Sequence, residues 1–194
     1  VDSVGPAVQR FTPGDSVFYA GDITRPGSNS EYQLVDERIV GYRPRSLRVE
    51  EAAALPLVSI TAYEALFDRL GLDAAGRSSG QTLLIIGGAG GVGSMAIQLA
   101  KLAALTVLAT ASRQESIDWV KHLGADHVQN HRQPLPQQLE AVGLKAVDCI
   151  LNCADTDGYW DVMADVIVPQ GKICTFVEYK GTLDQQLMKL KSVT

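Results

Sequence analysis

The chain has 194 residues, with 17 Lys and Arg against 22 Asp and Glu, for a formal net charge of -5. Hydrophobic residues make up 46% and charged residues 20%, a globular balance that excludes a disordered chain. The mild acidity offers neither nucleic acid nor an anionic membrane surface any mean attraction.

No apolar run reaches membrane-spanning length, and the chain does not open on a basic-then-apolar leader. The three cysteines are odd in number, show no paired spacing and suit a reducing compartment. A cytoplasmic location is therefore expected, with neither membrane nor nucleic acid as partner. Pro13-Gly14-Asp15 reads as a tight turn and residues 17–20 as a short strand. Residues 21–30, rich in Gly, Pro, Ser and Asn, read as a loop, and 31–35 and 38–40 as strands about Asp36-Glu37. Residues 1–45 are thus expected to hold short β pieces and no helix, a part of a larger all-β domain.

A connecting helical segment is expected over 46–79. Residues 49–54 are helix-like, Pro56 interrupts, and 57–70 place Ala62, Leu66, Phe67 and Leu70 at helical spacing before Gly71. From residue 80 onward strands alternate with helices. The strands fall at 82–86, 105–109, 126–129, 147–151 and 172–177; the helices fall at 92–103, 115–123, 135–142, 158–167 and 183–190. The first strand is continuously apolar, as a strand covered on both faces should be. Such alternation predicts right-handed crossovers, hence an α/β fold with a doubly wound parallel sheet of about five strands.

The first strand-to-helix turn reads Gly87-Gly88-Ala89-Gly90-Gly91-Val92-Gly93. Gly88, Gly90 and Gly93 satisfy G-x-G-x-x-G between a strand and a helix, the context that makes the motif informative. Gly88 is expected to allow the sharp turn, Gly90 the approach of backbone to a pyrophosphate, and Gly93 close helix–strand packing. Gly91 and Val92 open the helix, so their N–H groups and the positive dipole end face the phosphates. A ligand-free glycine turn and a methyltransferase-like relative are competing readings; the strand, motif, helix and further alternations favour a Rossmann dinucleotide site. The second strand ends Ala109-Thr110-Ala111-Ser112-Arg113, with no carboxylate before Glu115. An NAD site wants an acidic residue there; Ser112 and Arg113 instead suit the 2′-phosphate of NADPH. Ser112 as a helix cap and Arg113 as a solvated surface charge is the alternative.

Three blocks resemble the medium-chain dehydrogenase/reductase superfamily: Pro13-Gly14-Asp15-Ser16-Val17, Ala52-Ala53-Ala54-Leu55-Pro56 with Thr61-Ala62-Tyr63, and residues 87–101. The chain is most similar to its quinone-oxidoreductase branch, in particular the zinc-type alcohol dehydrogenase-like subgroup, through Tyr19-Ala20-Gly21-Asp22, residues 35–41 and Leu123-Gly124-Ala125-Asp126-His127. The resemblance implies a partial GroES-like β segment before a Rossmann domain over 80–194 that stops short of its last strand. It also implies NADPH in a cleft, and Thr61 near the nicotinamide, although Thr61 as a helix-stabilising hydroxyl is an equal reading. Family members often dimerise through the sixth strand, so a homodimer is a further expectation, with the fifth strand an exposed edge. Asn152 ends the fourth strand at the carboxyl edge, where such sheets bind ligands, and Asn130 and His131 end the third strand on the adenine side.

Zinc is not expected. Zinc-dependent relatives carry a four-cysteine lobe, whereas residues 17–32 hold no cysteine, and Leu57 stands where a ligating cysteine would. Cys149, Cys153 and Cys174 read as small buried hydrophobes, and His127 and His131 do not share a helical face. The resulting expectation is zinc-independent hydride transfer from NADPH to a quinone or α,β-unsaturated carbonyl. The alternatives are a zinc-dependent NAD(P) alcohol dehydrogenase and an NADPH-binding module without turnover. No residue is singled out as catalytic.

Overall fold

In a computed structural model, which describes residues 1–181, 184–189, 191 and 193, the chain divides into two units, Val1–Ile60 and Thr61–Thr194. In the first unit β1 (Val17–Tyr19) pairs antiparallel with β2 (Val40–Tyr42), placing Val17 opposite Tyr42 and Tyr19 opposite Val40. Phe11, Val40, Ala52 and Pro56 are buried in it, and the Phe11 and Tyr42 rings meet at 5.0 Å.

Two expectations fail here. The stretch 31–35 is irregular, because its apolar side chains Tyr32 and Leu34 lie in solvent and the alternation has no face to bury. The strand expected over 38–40 begins instead as a 3-10 turn, Glu37–Ile39. Asp36 causes it: its carboxylate accepts the Arg38 N–H at 2.9 Å and pairs with the guanidinium at 2.6 Å, a local bond that competes with extended backbone.

Next come α1 (Val49–Ala53) and α2 (Pro56–Tyr63). Pro56 opens α2 rather than merely breaking a helix, since a first-turn position needs no N–H donor. The helical path continues as a π-helical stretch, Glu64–Arg69, where Leu70 N–H reaches back to Ala65 O at 2.9 Å. The division between units falls within α2.

The second unit contains β3 (Thr82–Ile86), α3 (Gly91–Leu102), β4 (Thr106–Thr110), α4 (Gln114–His122) and β5 (His127–Gln129). It continues through α5 (Leu135–Ala141), β6 (Val147–Asn152), α6 (Thr156–Val166), β7 (Ile167–Thr175) and α7 (Gln185–Lys189). The five strands form one parallel sheet in the order β5-β4-β3-β6-β7. This is the doubly wound Rossmann arrangement. Leu83, Ile85, Val107 and Leu151 meet Leu66, Ile97 and Val120 on one face; Leu84, Ile86, Leu108 and Ile150 meet Leu139 and Met163 on the other. Both faces of β3 are therefore fully buried, which is why its sequence is apolar without alternation. The chain winds from β3 outward to β4 and β5, then crosses to β6, so the carboxyl edges of β3 and β6 flank the topological switch point.

At the end of the chain α6 starts at Thr156, earlier than expected, because Asp155 accepts the N–H groups of Asp157 and Gly158. Strand β7 begins at Ile167, before the expected turn at Pro169-Gln170-Gly171. That turn is absorbed as an irregularity between the Val147–Ile167 and Cys149–Lys172 pairs, with Gln170 at φ 63. Of the helix expected over 183–190, residues 183 and 190 lie outside the described residues. Among the described residues no helix is long and apolar enough to cross a membrane.

Candidate functional site

The chain leaves β3 and turns at Gly87, whose φ of 80 is left-handed and strained for any residue with a Cβ. The sharp turn thus belongs to Gly87 and not, as expected, to Gly88. Gly88 serves packing: a Cβ there would lie 2.8 Å from the Ala109 Cβ of β4. Gly93 is tighter still, for its Cβ would overlap Gly87 O and sit 2.8 Å from Gly88 Cα. Gly90 differs, being exposed with 3.4 Å to its nearest neighbour, Gly87 O.

Gly90 is the N-cap of α3 and has no side chain to satisfy the first-turn donors. The first N–H reaching back to the cap is that of Ser94, which donates to Gly90 O at 2.8 Å. The N–H groups of Gly91, Val92 and Gly93 therefore stand at the helix mouth beyond the intrahelical ladder. With the positive end of the helix dipole behind them they form an anion cradle.

Thr110, which the sequence reading passed over, holds this cradle in place. Its hydroxyl accepts the Gly87 N–H at 2.8 Å and its carbonyl accepts the Gly88 N–H at 3.2 Å. Only 3% of it is exposed, so both bonds form away from water. Nothing local marks Thr110 apart from an ordinary β-branched strand residue; its partners lie in the turn that follows the neighbouring strand β3. Thr110→Val, which keeps the shape and loses the acceptor, is expected to cost about 1–2 kcal/mol in urea unfolding by orphaning the Gly87 N–H.

The remaining candidate residues fall in three places. Ser112 follows β4, and its Oγ meets His131 Nε2 beyond β5 at 3.2 Å. Arg113 caps α4 through its backbone and extends an exposed side chain. Asn130 shapes the loop after β5, its Oδ1 accepting the Arg132 N–H at 3.0 Å. Thr61, with Glu64, Arg69, Cys174, Thr175 and Phe176, lines a recess of about 420 Å³ at the carboxyl end of β7. Asn152 is wholly buried at the end of β6, with Oδ1 accepting the Ala154 N–H at 3.1 Å and Nδ2 donating to Thr156 Oγ1 at 3.4 Å, so its side chain shapes the turn at the carboxyl edge of the sheet.

Residues 91–191 match the model of the zinc-binding dehydrogenases, a span of just over half the chain. The chain belongs to the zinc-binding dehydrogenase family. Within the medium-chain dehydrogenase/reductase superfamily, this family member is 45% identical over 195 residues to the zinc-type alcohol dehydrogenase-like protein of Staphylococcus epidermidis, covering 100% of the chain and 58% of that relative. It is 36% identical over 155 residues to the chloroplast envelope quinone oxidoreductase homolog of Arabidopsis thaliana, covering 80% of the chain and 47% of the relative. The crystal structure of a putative zinc-dependent alcohol dehydrogenase from Rhizobium etli superposes with a TM-score of 0.91 at 50% identity, covering 100% of the chain and 56% of that structure. The chain thus spans less than two thirds of the length of these relatives.

The family's name implies a metal, and the described residues of this family member show no cluster of donors that would hold one. Among them no three His, Cys, Asp or Glu side chains come together. Burial also holds the cysteine thiols protonated: Cys153 is pushed up to about 12 by burial and then by Cys174, and Cys149 to about 11 by burial and then by Asp148. The same burial argues against a nucleophilic cysteine.

Proposed function

We propose that the protein is a zinc-independent, NADPH-dependent oxidoreductase that delivers hydride to a quinone or an α,β-unsaturated carbonyl. The observation that carries this reading is the join between the amide cradle at Gly91, Val92 and Gly93 and an adjoining strand end that offers Ser112 and Arg113. When bound, the coenzyme supplies the hydride. The cradle would hold its pyrophosphate by backbone donors, and Arg113 would meet the 2′-phosphate with a charge-assisted contact. The recess lined by Thr61 and Phe176 lies at the carboxyl end of the same sheet, where open α/β folds take ligands, and would receive the nicotinamide side. The likeness to the Arabidopsis chloroplast envelope quinone oxidoreductase homolog supports the acceptor class. Such acceptors delocalise the incoming negative charge, so a hydrogen bond can replace a Lewis acid. On this reading residues 1–45 belong to a GroES-like substrate domain.

The test is coenzyme oxidation by the full-length protein with a panel of quinones and enones, before and after exhaustive chelation. NADPH should be consumed faster than NADH, and chelation should leave the rate unchanged. Absence of turnover above background sinks the proposal; loss of turnover on chelation sinks its zinc independence.

A further inference from the structure

We infer that His131 is a specificity-determining residue for the 2′-phosphate of the coenzyme, acting by fixing which way the Ser112 hydroxyl points. The inference rests on the NADPH reading above and deepens it. Ser112 and His131 each lie two residues past the end of a strand, β4 and β5, so the contact between them at 3.2 Å joins two successive strand-to-helix loops at the carboxyl edge of the sheet.

The surrounding bonds hold His131 in that position. Gln138 on α5 brackets the loop, accepting the Asn130 N–H on Oε1 at 2.7 Å and donating from Nε2 to Asn130 O at 2.9 Å. Asn130 Oδ1 in turn accepts the Arg132 N–H at 3.0 Å, which closes the turn around His131. On the other side Ala111 N–H donates to Gln129 O at 2.9 Å, tying the Ser112 loop to the end of β5. Both side chains are thereby presented from restrained backbone, and neither needs a long flexible arm to reach its partner.

A serine hydroxyl has one hydrogen to give and two lone pairs to offer. If His131 Nε2 carries its proton, it donates to Ser112 Oγ and leaves the serine hydrogen free for an anion. In the opposite tautomer the serine hydrogen goes to the imidazole, and its lone pairs face the anion. A phosphate dianion selects the first arrangement, giving a relay from Nε2–H to Oγ–H to a phosphate oxygen. A coenzyme with a bare 2′-hydroxyl gains little from that relay, because hydrogen bonds to charged groups are the stronger ones. Arg113, at the N-cap of α4 with its side chain exposed, supplies the charge; His131 supplies the direction.

The experiment is titration calorimetry with adenosine 2′,5′-bisphosphate and adenosine 5′-monophosphate on the wild type, H131L, H131Q, S112A and R113A. H131L should weaken the bisphosphate about tenfold, equivalent to about 1.4 kcal/mol, and leave the monophosphate within twofold. H131Q, which retains an N–H donor, should recover most of the loss, and H131L should add nothing in an S112A background. Equal weakening of both nucleotides by H131L, or no weakening of either, overturns the inference. A wild type that does not prefer the bisphosphate overturns the NADPH reading itself, whereas a preference lost in R113A but intact in H131L overturns the role of His131 alone.

Discussion

Gly93→Ala is expected to abolish coenzyme binding and to destabilise the second unit by about 2 kcal/mol or more. The added Cβ would overlap Gly87 O and lie 2.8 Å from both Gly88 Cα and Gly88 O. These are backbone atoms held by Thr110, so they cannot swing aside as a long side chain would. Relief would require α3 to move away from the turn, which would carry the amides of Gly91 and Val92 out of register with any phosphate. Gly90→Ala is the matched control. Its Cβ would stand 3.4 Å from Gly87 O at an exposed position, and the Gly90 backbone at φ -75 suits any residue. Folding should change by less than about 1 kcal/mol, the cost of a poorer cap. Coenzyme affinity should still fall, because the methyl group occupies the approach to the cradle. Urea unfolding followed by circular dichroism, paired with calorimetric titration of NADPH, separates the two effects. A Gly93→Ala protein that is as stable as the wild type and binds coenzyme normally would refute the packing role assigned to this glycine.

Arg113→Ala is expected to weaken NADPH binding by 10- to 100-fold, an order of magnitude set by hydrogen bonds to charged groups at about 1.5–3 kcal/mol, while NADH binding stays unchanged. The side chain is exposed and makes no ion pair among the described residues, so removing it costs the fold little. Arg113→Lys should recover part of the affinity, since an ammonium keeps the charge but loses the two-pronged geometry. The ratio of the two dissociation constants is the readout. Equal loss for both coenzymes would reject Arg113 as the discriminating residue.

Much of the second unit was legible because its signals are local. The apolar run Leu83, Leu84, Ile85 and Ile86 announces a strand buried on both faces, and β3 is such a strand. The glycine turn announces its own place between β3 and α3. The first unit was harder to read. There Tyr32 and Leu34 alternate as a strand should, yet they lie in solvent, and a single Asp36 side chain turns the next residues into a 3-10 turn. Short alternation carries weight only where a second layer exists to cover it.

The candidate site divides along the same line. That glycines must crowd the first strand-to-helix turn, and that no carboxylate stands at Ser112 and Arg113, follows from residue identity alone. Which glycine turns and which ones pack depended on how closely Ala109 and Gly87 O approach them. The clamp by Thr110, the withdrawal of Asn152 into the interior and the meeting of Ser112 with His131 likewise emerged only once parallel strands were laid side by side. Periodicity and backbone freedom are properties of neighbours along the chain. A hydrogen bond between loops nineteen residues apart is a property of the sheet that brings their ends together.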